Sequence, residues 1–124
     1  MRLLLDTHVF LWFLEDSKKL RSPVRTAIAS SDVVYVSVAS AWEIVIKVAL
    51  GKLRFPVTVE QAIRKSDFSA LPILLSHTEA VGSLPMLHGD PFDRLLVAQA
   101  REEGLRFVTN DERLIGYPVD ILRA

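Results

Sequence analysis

The stretch His88-Gly89-Asp90-Pro91-Phe92-Asp93-Arg94 sets two carboxylates three residues apart at the start of a predicted helix. Pro91 suits the first helical position, where its missing N–H has no intrahelical partner to lose. Asp90 then falls at the N-cap and Asp93 in the first turn, where acids accept backbone N–H groups and face the positive end of the helix dipole. The helix runs to about Glu103 and stops at Gly104. Arg106-Phe107-Val108-Thr109 then reads as a strand leading into Asn110-Asp111, with one helical turn to about Ile115. Taken alone, this is helix-capping chemistry. Its meaning depends on whether other acids reach the same place.

Upstream, Leu3-Leu4-Leu5 is a short apolar run ending at Asp6, the pattern of a buried parallel strand. Thr7 is placed to cap the next helix, His8 to about Glu15, which is apolar nearly all round. Ser22-Pro23 opens a second helix, to about Ala29. Val33 to Val38 is a β-branched and aromatic strand. Ser40-Ala41-Trp42-Glu43 matches a capping box for a helix to about Leu50, with Gly51 as its stop. A further helix runs from Thr58 to about Asp67. Leu71 to Leu74 reads as a strand whose Pro72 confines it to an edge or a strand start. Ser76-His77-Thr78-Glu79 is a second capping box, before a helix ending near Leu84. Pro118 to Leu122 closes as a strand. Strands alternating with helices predict α/β layers around a mostly parallel sheet. The 124 residues suit one domain spanning 1–124, and 50% hydrophobic content allows a real core.

In a parallel sheet, strand ends and helix starts share one edge, and the ligand crevice lies there. Asp6, Glu43, Asp90, Asp93 and Asp111 all fall on that edge. Clustered carboxylates repel one another unless they take up protons or a cation. Mg²⁺ and Mn²⁺ prefer such oxygen ligands, and a metal so held activates water and stabilises phosphate oxygens. Each acid also has a structural reading as a helix cap or turn residue. Zero net charge argues against coating nucleic acid by bulk charge, and the absence of cysteine excludes disulfides and thiol catalysis. The N-terminus lacks the pattern of a signal peptide, and no apolar run approaches membrane-spanning length. The expected location is the cytoplasm.

Leu5-Asp6-Thr7-His8, Ser40-Ala41-Trp42-Glu43-Ile44, the 88–94 stretch and Thr109-Asn110-Asp111 together resemble the successive motifs of PIN-domain proteins, and more narrowly of VapC toxins from toxin–antitoxin pairs. The resemblance covers essentially the whole chain. It implies a three-layer α/β/α domain and a Mg²⁺- or Mn²⁺-dependent endoribonuclease acting on RNA. It also implies a homodimer neutralised by a cognate VapB-type antitoxin. By position, Asp6, Glu43 and Asp93 match the core acids, and Asp111 the more variable fourth. Asp90 is an accessory acid or cap, and Thr109 stands where the family often has a hydroxyl near the metal. None of the core acids is replaced.

Among other residues, Lys47 has the helical spacing for an ion pair with Glu43 and is alternatively a phosphate contact. Arg94 is either a phosphate contact or a salt-bridge partner. Lys52 and Arg54 lie where they could line an RNA path. His8, His77 and His88 could form a metal-free acid–base pair, but structural or surface places are expected for them. Trp12 and Trp42 are expected in core or interface packing rather than stacked on bases. The apolar first helix and Ile44 to Leu50 are the candidate subunit and antitoxin surfaces. Two other functions fit parts of the pattern. A receiver domain would need an acid pair after the first strand and an Asp after the middle one, which are lacking. A non-catalytic interaction module would use the acids only as caps.

Overall fold

The computed structural model describes residues 1–124. The elements in order are β1 (Arg2–Leu5), α1 (Thr7–Leu14), α2 (Ser22–Ser30), β2 (Val33–Ser37), α3 (Val38–Ala49), α4 (Val59–Lys65), β3 (Ser69–Leu71), α5 (Leu75–Val81), α6 (Pro91–Glu103), β4 (Arg106–Thr109) and β5 (Ile121–Arg123), with a 3₁₀ turn at Glu112–Leu114. The sheet order is β3-β2-β1-β4-β5, and every pairing is parallel. The chain therefore builds outward from β1 in one direction, then returns to β1's other side. That reversal puts a crevice between the carboxyl ends of β1 and β4.

Strand alternation divides the core between the two faces of the sheet. Leu3, Leu5, Val34, Val36 and Val108 join one apolar cluster, while Leu4 and Phe107 join the other. The first cluster packs under Val9 and Phe10 of α1, Val24 and Ile28 of α2, and Ala62 and Ile63 of α4. The second packs under Leu96, Val97 and Ala100 of α6. The result is an α/β/α sandwich. Burial on both faces explains why β1 reads as a continuous apolar run. α1 spends most of its apolar surface inside this chain, with Phe10 and Phe13 against Phe68 at ring separations of 6.3 and 4.9 Å. No helix is long and apolar enough to cross a membrane.

Several local expectations shift. α3 starts at Val38, directly out of β2, and its cap is Ser37, whose Oγ accepts the Ala39 N–H at 2.9 Å. Ser40 and Glu43 form no capping box. Ser40 is buried inside the helix and accepts from Thr7 Oγ1 at 2.8 Å, and Glu43 pairs with Lys47 one turn on, so neither side chain caps the helix. Thr7 is thus the first residue of α1 rather than its cap, and Asp6 holds the N-cap position without a side-chain cap bond. At α5 the expected Ser76–Glu79 box gives way to His77, whose Nδ1 accepts the Leu74 N–H at 3.0 Å. The third strand ends before Pro72 instead of running through it, because proline cannot continue the ladder. The last strand begins at Ile121, where pairing to β4 starts.

Candidate active site

Asp6 leaves the end of β1 and points into the crevice. The residue is only 4% exposed. Oδ2 accepts from Thr109 Oγ1 at 2.7 Å, while Oδ1 is buried with no partner. The main chain holds it firmly, since the Asp6 N–H continues the β1–β4 ladder to the Val108 carbonyl at 2.9 Å. Burial pushes its carboxyl above the usual range. The Thr109 hydroxyl partly offsets this, and the Glu43 charge adds to it.

Glu43 lies one turn beyond Ser40 on α3. The Thr7–Ser40 hydrogen bond ties the start of α1 to α3 and so sets Asp6 against Glu43. Glu43 Oε2 pairs with Lys47 Nζ at 3.0 Å, and Oε1 is buried without a partner. Asp93 enters from the first turn of α6. Asp90 caps that helix, its Oδ1 accepting the N–H groups of Phe92 at 2.9 Å and Asp93 at 3.1 Å. Asp93 is raised to about 6, first by burial, then by the charges of Asp6 and Asp90, with His88 pulling the other way. Asp6, Glu43 and Asp93 thus share one electrostatic site.

Asp111 is a different kind of acid. Its N–H donates to Thr109 Oγ1 at 3.1 Å. Its carboxylate accepts from the Arg113 N–H at 3.0 Å, Nε at 3.1 Å and Nη2 at 2.9 Å. Those bonds hold its pKa below the usual range. A hollow of about 330 Å³ opens beside it, lined by Asp6, His8, Asn110, Asp111 and Arg113 among others. A larger groove of about 630 Å³ lies elsewhere, between the end of α1 and residues 54–57 and 62–66, and contains none of these acids.

Two expectations change here. Arg94 faces neither phosphate nor a carboxylate. It is 7% exposed, and its guanidinium donates to the carbonyls of Pro85 and Val81 and to the Tyr117 hydroxyl, each at 3.0 Å. It staples the end of α5 and the loop before α6 to the C-terminal segment. For Trp42, expected in core or interface packing, the core is excluded and the interface place stays open. Trp42 is 59% exposed and packs edge-on against Phe92 at 5.3 Å. Lys47 makes the ion pair its spacing predicts, while His8 lies exposed at the rim.

Two of the histidines, His77 and His88, also depart from their expected surface places, while His8, expected in a structural place, is the exposed one. His77 is fully buried, with Nε2 2.8 Å from Glu103 Oε2. His88 turns inward, placing Nε2 2.9 Å from Asp93 Oδ2 and 3.9 Å from Asp111 Oδ2. Sequence reasoning missed His88 and Arg113 as neighbours of the acids. Arg113, two residues after Asp111, was visible as a local pair; His88 depends on a contact with distant Tyr117.

A buried carboxylate oxygen with no hydrogen bond is costly unless something supplies positive charge. Asp6 Oδ1 and Glu43 Oε1 are two such atoms in a site already crowded with negative charge. The donor set is oxygen-rich and suits a divalent cation.

A PIN-domain family profile matches residues 3–119. The chain belongs to the PIN-domain family. It is 30% identical over 122 residues to Ribonuclease VapC22 of Mycobacterium tuberculosis, covering 90% of this chain and 88% of that protein. Among solved structures it shares its fold with VapBC2 from Rickettsia felis bound to a promoter DNA fragment, with TM-score 0.70 and 16% identity over 99% of this chain and 98% of that one. A toxin–antitoxin complex from Klebsiella pneumoniae matches with TM-score 0.66 and 16% identity over 97% and 95%. DNA-bound VapBC from Salmonella typhimurium matches with 0.66 and 14% over 99% and 98%. The sheet order also sets the chain apart from a receiver domain, and its β3 is followed by Pro72 rather than an acceptor Asp.

Proposed function

We propose that this PIN-domain protein is the toxin of a toxin–antitoxin pair and acts as a metal-dependent endoribonuclease. The observation that carries this reading is the pair of buried, unpartnered carboxylate oxygens on Asp6 and Glu43, facing a site whose third acid, Asp93, is held up at about 6. Family membership and the VapC22 relative support the same conclusion.

Asp6, Glu43 and Asp93 would hold Mg²⁺ or Mn²⁺. A cation there supplies Lewis acidity toward a phosphate oxygen and lowers the pKa of bound water. The chain's own residues prepare that site. Thr109 fixes which oxygen of Asp6 remains free, because its hydroxyl occupies the other. Asp90 fixes the first turn of α6 and with it the direction of Asp93. Asp111, bound by Arg113, contributes its charge to the rim. Lys47, paired with Glu43, and the exposed Arg113, paired with Asp111, are the cations beside the acids that could meet a substrate phosphate. The proposed unit is the whole domain, residues 1–124.

The proposed partners are RNA as substrate, a VapB-type antitoxin and a second copy of the chain. The antitoxin reading is supported by the VapBC complexes that share the fold and by the apolar groove beside Leu11, Leu14 and Phe55. The exposed Val38, Trp42 and Val45 on α3 give the dimer reading its surface.

The test is RNA cleavage by purified protein with Mg²⁺ or Mn²⁺, with and without chelator. RNA ends are mapped after induction in cells beside an Asp6→Asn control. Cleavage should fall by at least about two orders of magnitude in Asp6→Asn and vanish with chelator. Undiminished cleavage in either case would sink the proposal.

A further inference from the structure

We propose that His88 is itself a ligand of the cation, and that its nitrogen tilts the site from Mg²⁺ toward Mn²⁺. This rests on the reading of Asp6, Glu43 and Asp93 as a cation site and adds a donor to it. His88, Asp93 and Asp111 each bring one ligand atom within 4.8 Å of the others. A cation with arms of about 2.1 Å has right-angled neighbours about 3.0 Å apart. His88 Nε2 and Asp93 Oδ2 are 2.9 Å apart, hydrogen-bonded to each other in the metal-free chain, and that distance is also the spacing of two adjacent ligands. The independent sign that a positive group belongs here is Asp6 Oδ1, which is buried and unpartnered.

The imidazole is built into place. The His88 N–H donates to the Tyr117 hydroxyl at 3.0 Å, and that hydroxyl accepts from Arg94 at 3.0 Å. The buried Arg94 therefore seats the loop that carries His88, which explains a guanidinium so close to the acids yet turned away from them. The ring itself is only 10% exposed. In its Nδ1–H tautomer it presents the Nε2 lone pair without adding charge. That matters because the three acids already exceed the charge of a divalent ion, and Asp111 is committed to Arg113. A neutral fourth donor completes the set at no cost in repulsion. Imidazole suits the transition metals, whereas Mg²⁺ favours carboxylate, carbonyl and water.

The test uses the full-length protein, with Mn²⁺ and Mg²⁺ binding by titration calorimetry and pulsed EPR of bound Mn²⁺. Wild type should show a directly bonded ¹⁴N coupling that changes on ¹⁵N-histidine labelling. The coupling should persist in His8→Gln and disappear in His88→Gln. In His88→Gln, Mn²⁺ affinity should fall at least about tenfold while Mg²⁺ affinity changes by less than about twofold. The wild-type spectrum is decisive even if the variant folds poorly. Mn²⁺ bound without nitrogen coupling, or coupling that survives in His88→Gln, overturns the His88 assignment and leaves the acid site standing. Wild type that binds no Mn²⁺ overturns both.

Discussion

Without a cation, Asp93 should make the protein less stable at neutral pH than in mild acid, and Asp93→Asn should remove its share of that dependence and leave the part that Asp6 contributes. The carboxyl rises from an ordinary 3.8 to about 6, because burial and then the charges of Asp6 and Asp90 oppose its ionisation. The folded state therefore holds a proton that the unfolded state releases earlier. Stability from this group is fully present below its unfolded pKa and is lost as pH rises through the folded one. A difference of about two units corresponds to about 3 kcal/mol, most of it lost between about pH 4 and about pH 7. The side chain is 17% exposed, so solvent screening trims this figure only modestly. Asp6 shifts in the same direction and adds to the effect; Asp111 shifts oppositely, so its contribution is lost only at lower pH. The assay is urea unfolding of metal-free wild type and Asp93→Asn across that range. Relative to the variant, wild type should lose roughly 2–3 kcal/mol, a melting shift on the order of 10 °C. Saturating Mn²⁺ should reverse the ranking, because the variant lacks one of the proposed ligands and binding stabilises only the native state. Parallel pH profiles for the two proteins would refute the reasoning.

Thr109→Val should cost about 1–3 kcal/mol in urea unfolding, since it leaves both oxygens of Asp6 without a donor, and Thr109→Ser should recover most of it. Arg94→Lys should cost roughly 3 kcal/mol, because one ammonium cannot reach acceptors on three segments. The salt dependence of RNA binding should nevertheless stay unchanged in that variant, because Arg94 touches no phosphate; a shallower slope would return Arg94 to the RNA surface. Gly104→Ala should lower stability by about 1 kcal/mol without altering cleavage, because residue 104 ends α6 with φ of 64°.

The elements carrying strong local signals were legible from sequence. β1 declares itself by three buried leucines, and α6 by Asp90, Pro91 and Gly104, since capping and burial on both faces act over a few residues. The same locality made Asp6, Glu43 and Asp93 readable as acids on one edge, because in a parallel sheet strand ends and helix starts must coincide there. Where tertiary contacts overrode a local signal, the sequence misled. Ser40 reads as the cap of α3 and Ser37 as part of the strand, yet Ser37 caps the helix because β2 stops there and Thr7 draws Ser40 into the interior. The edge strands β3 and β5 begin and end where a neighbour offers hydrogen bonds, which no local pattern states.

The 88–94 stretch shows the division most plainly. Its sequence determined that a helix starts at Pro91 with Asp90 as cap and Asp93 in its first turn. Tertiary structure decided the rest. Tyr117, 29 residues beyond His88, anchors the loop and turns the imidazole onto Asp93. Arg94, free by its position to face solvent, is instead held inside by acceptors from three segments. Helix starts are set by backbone geometry within one turn, whereas the direction of a buried polar side chain is set by whichever distant partner satisfies it.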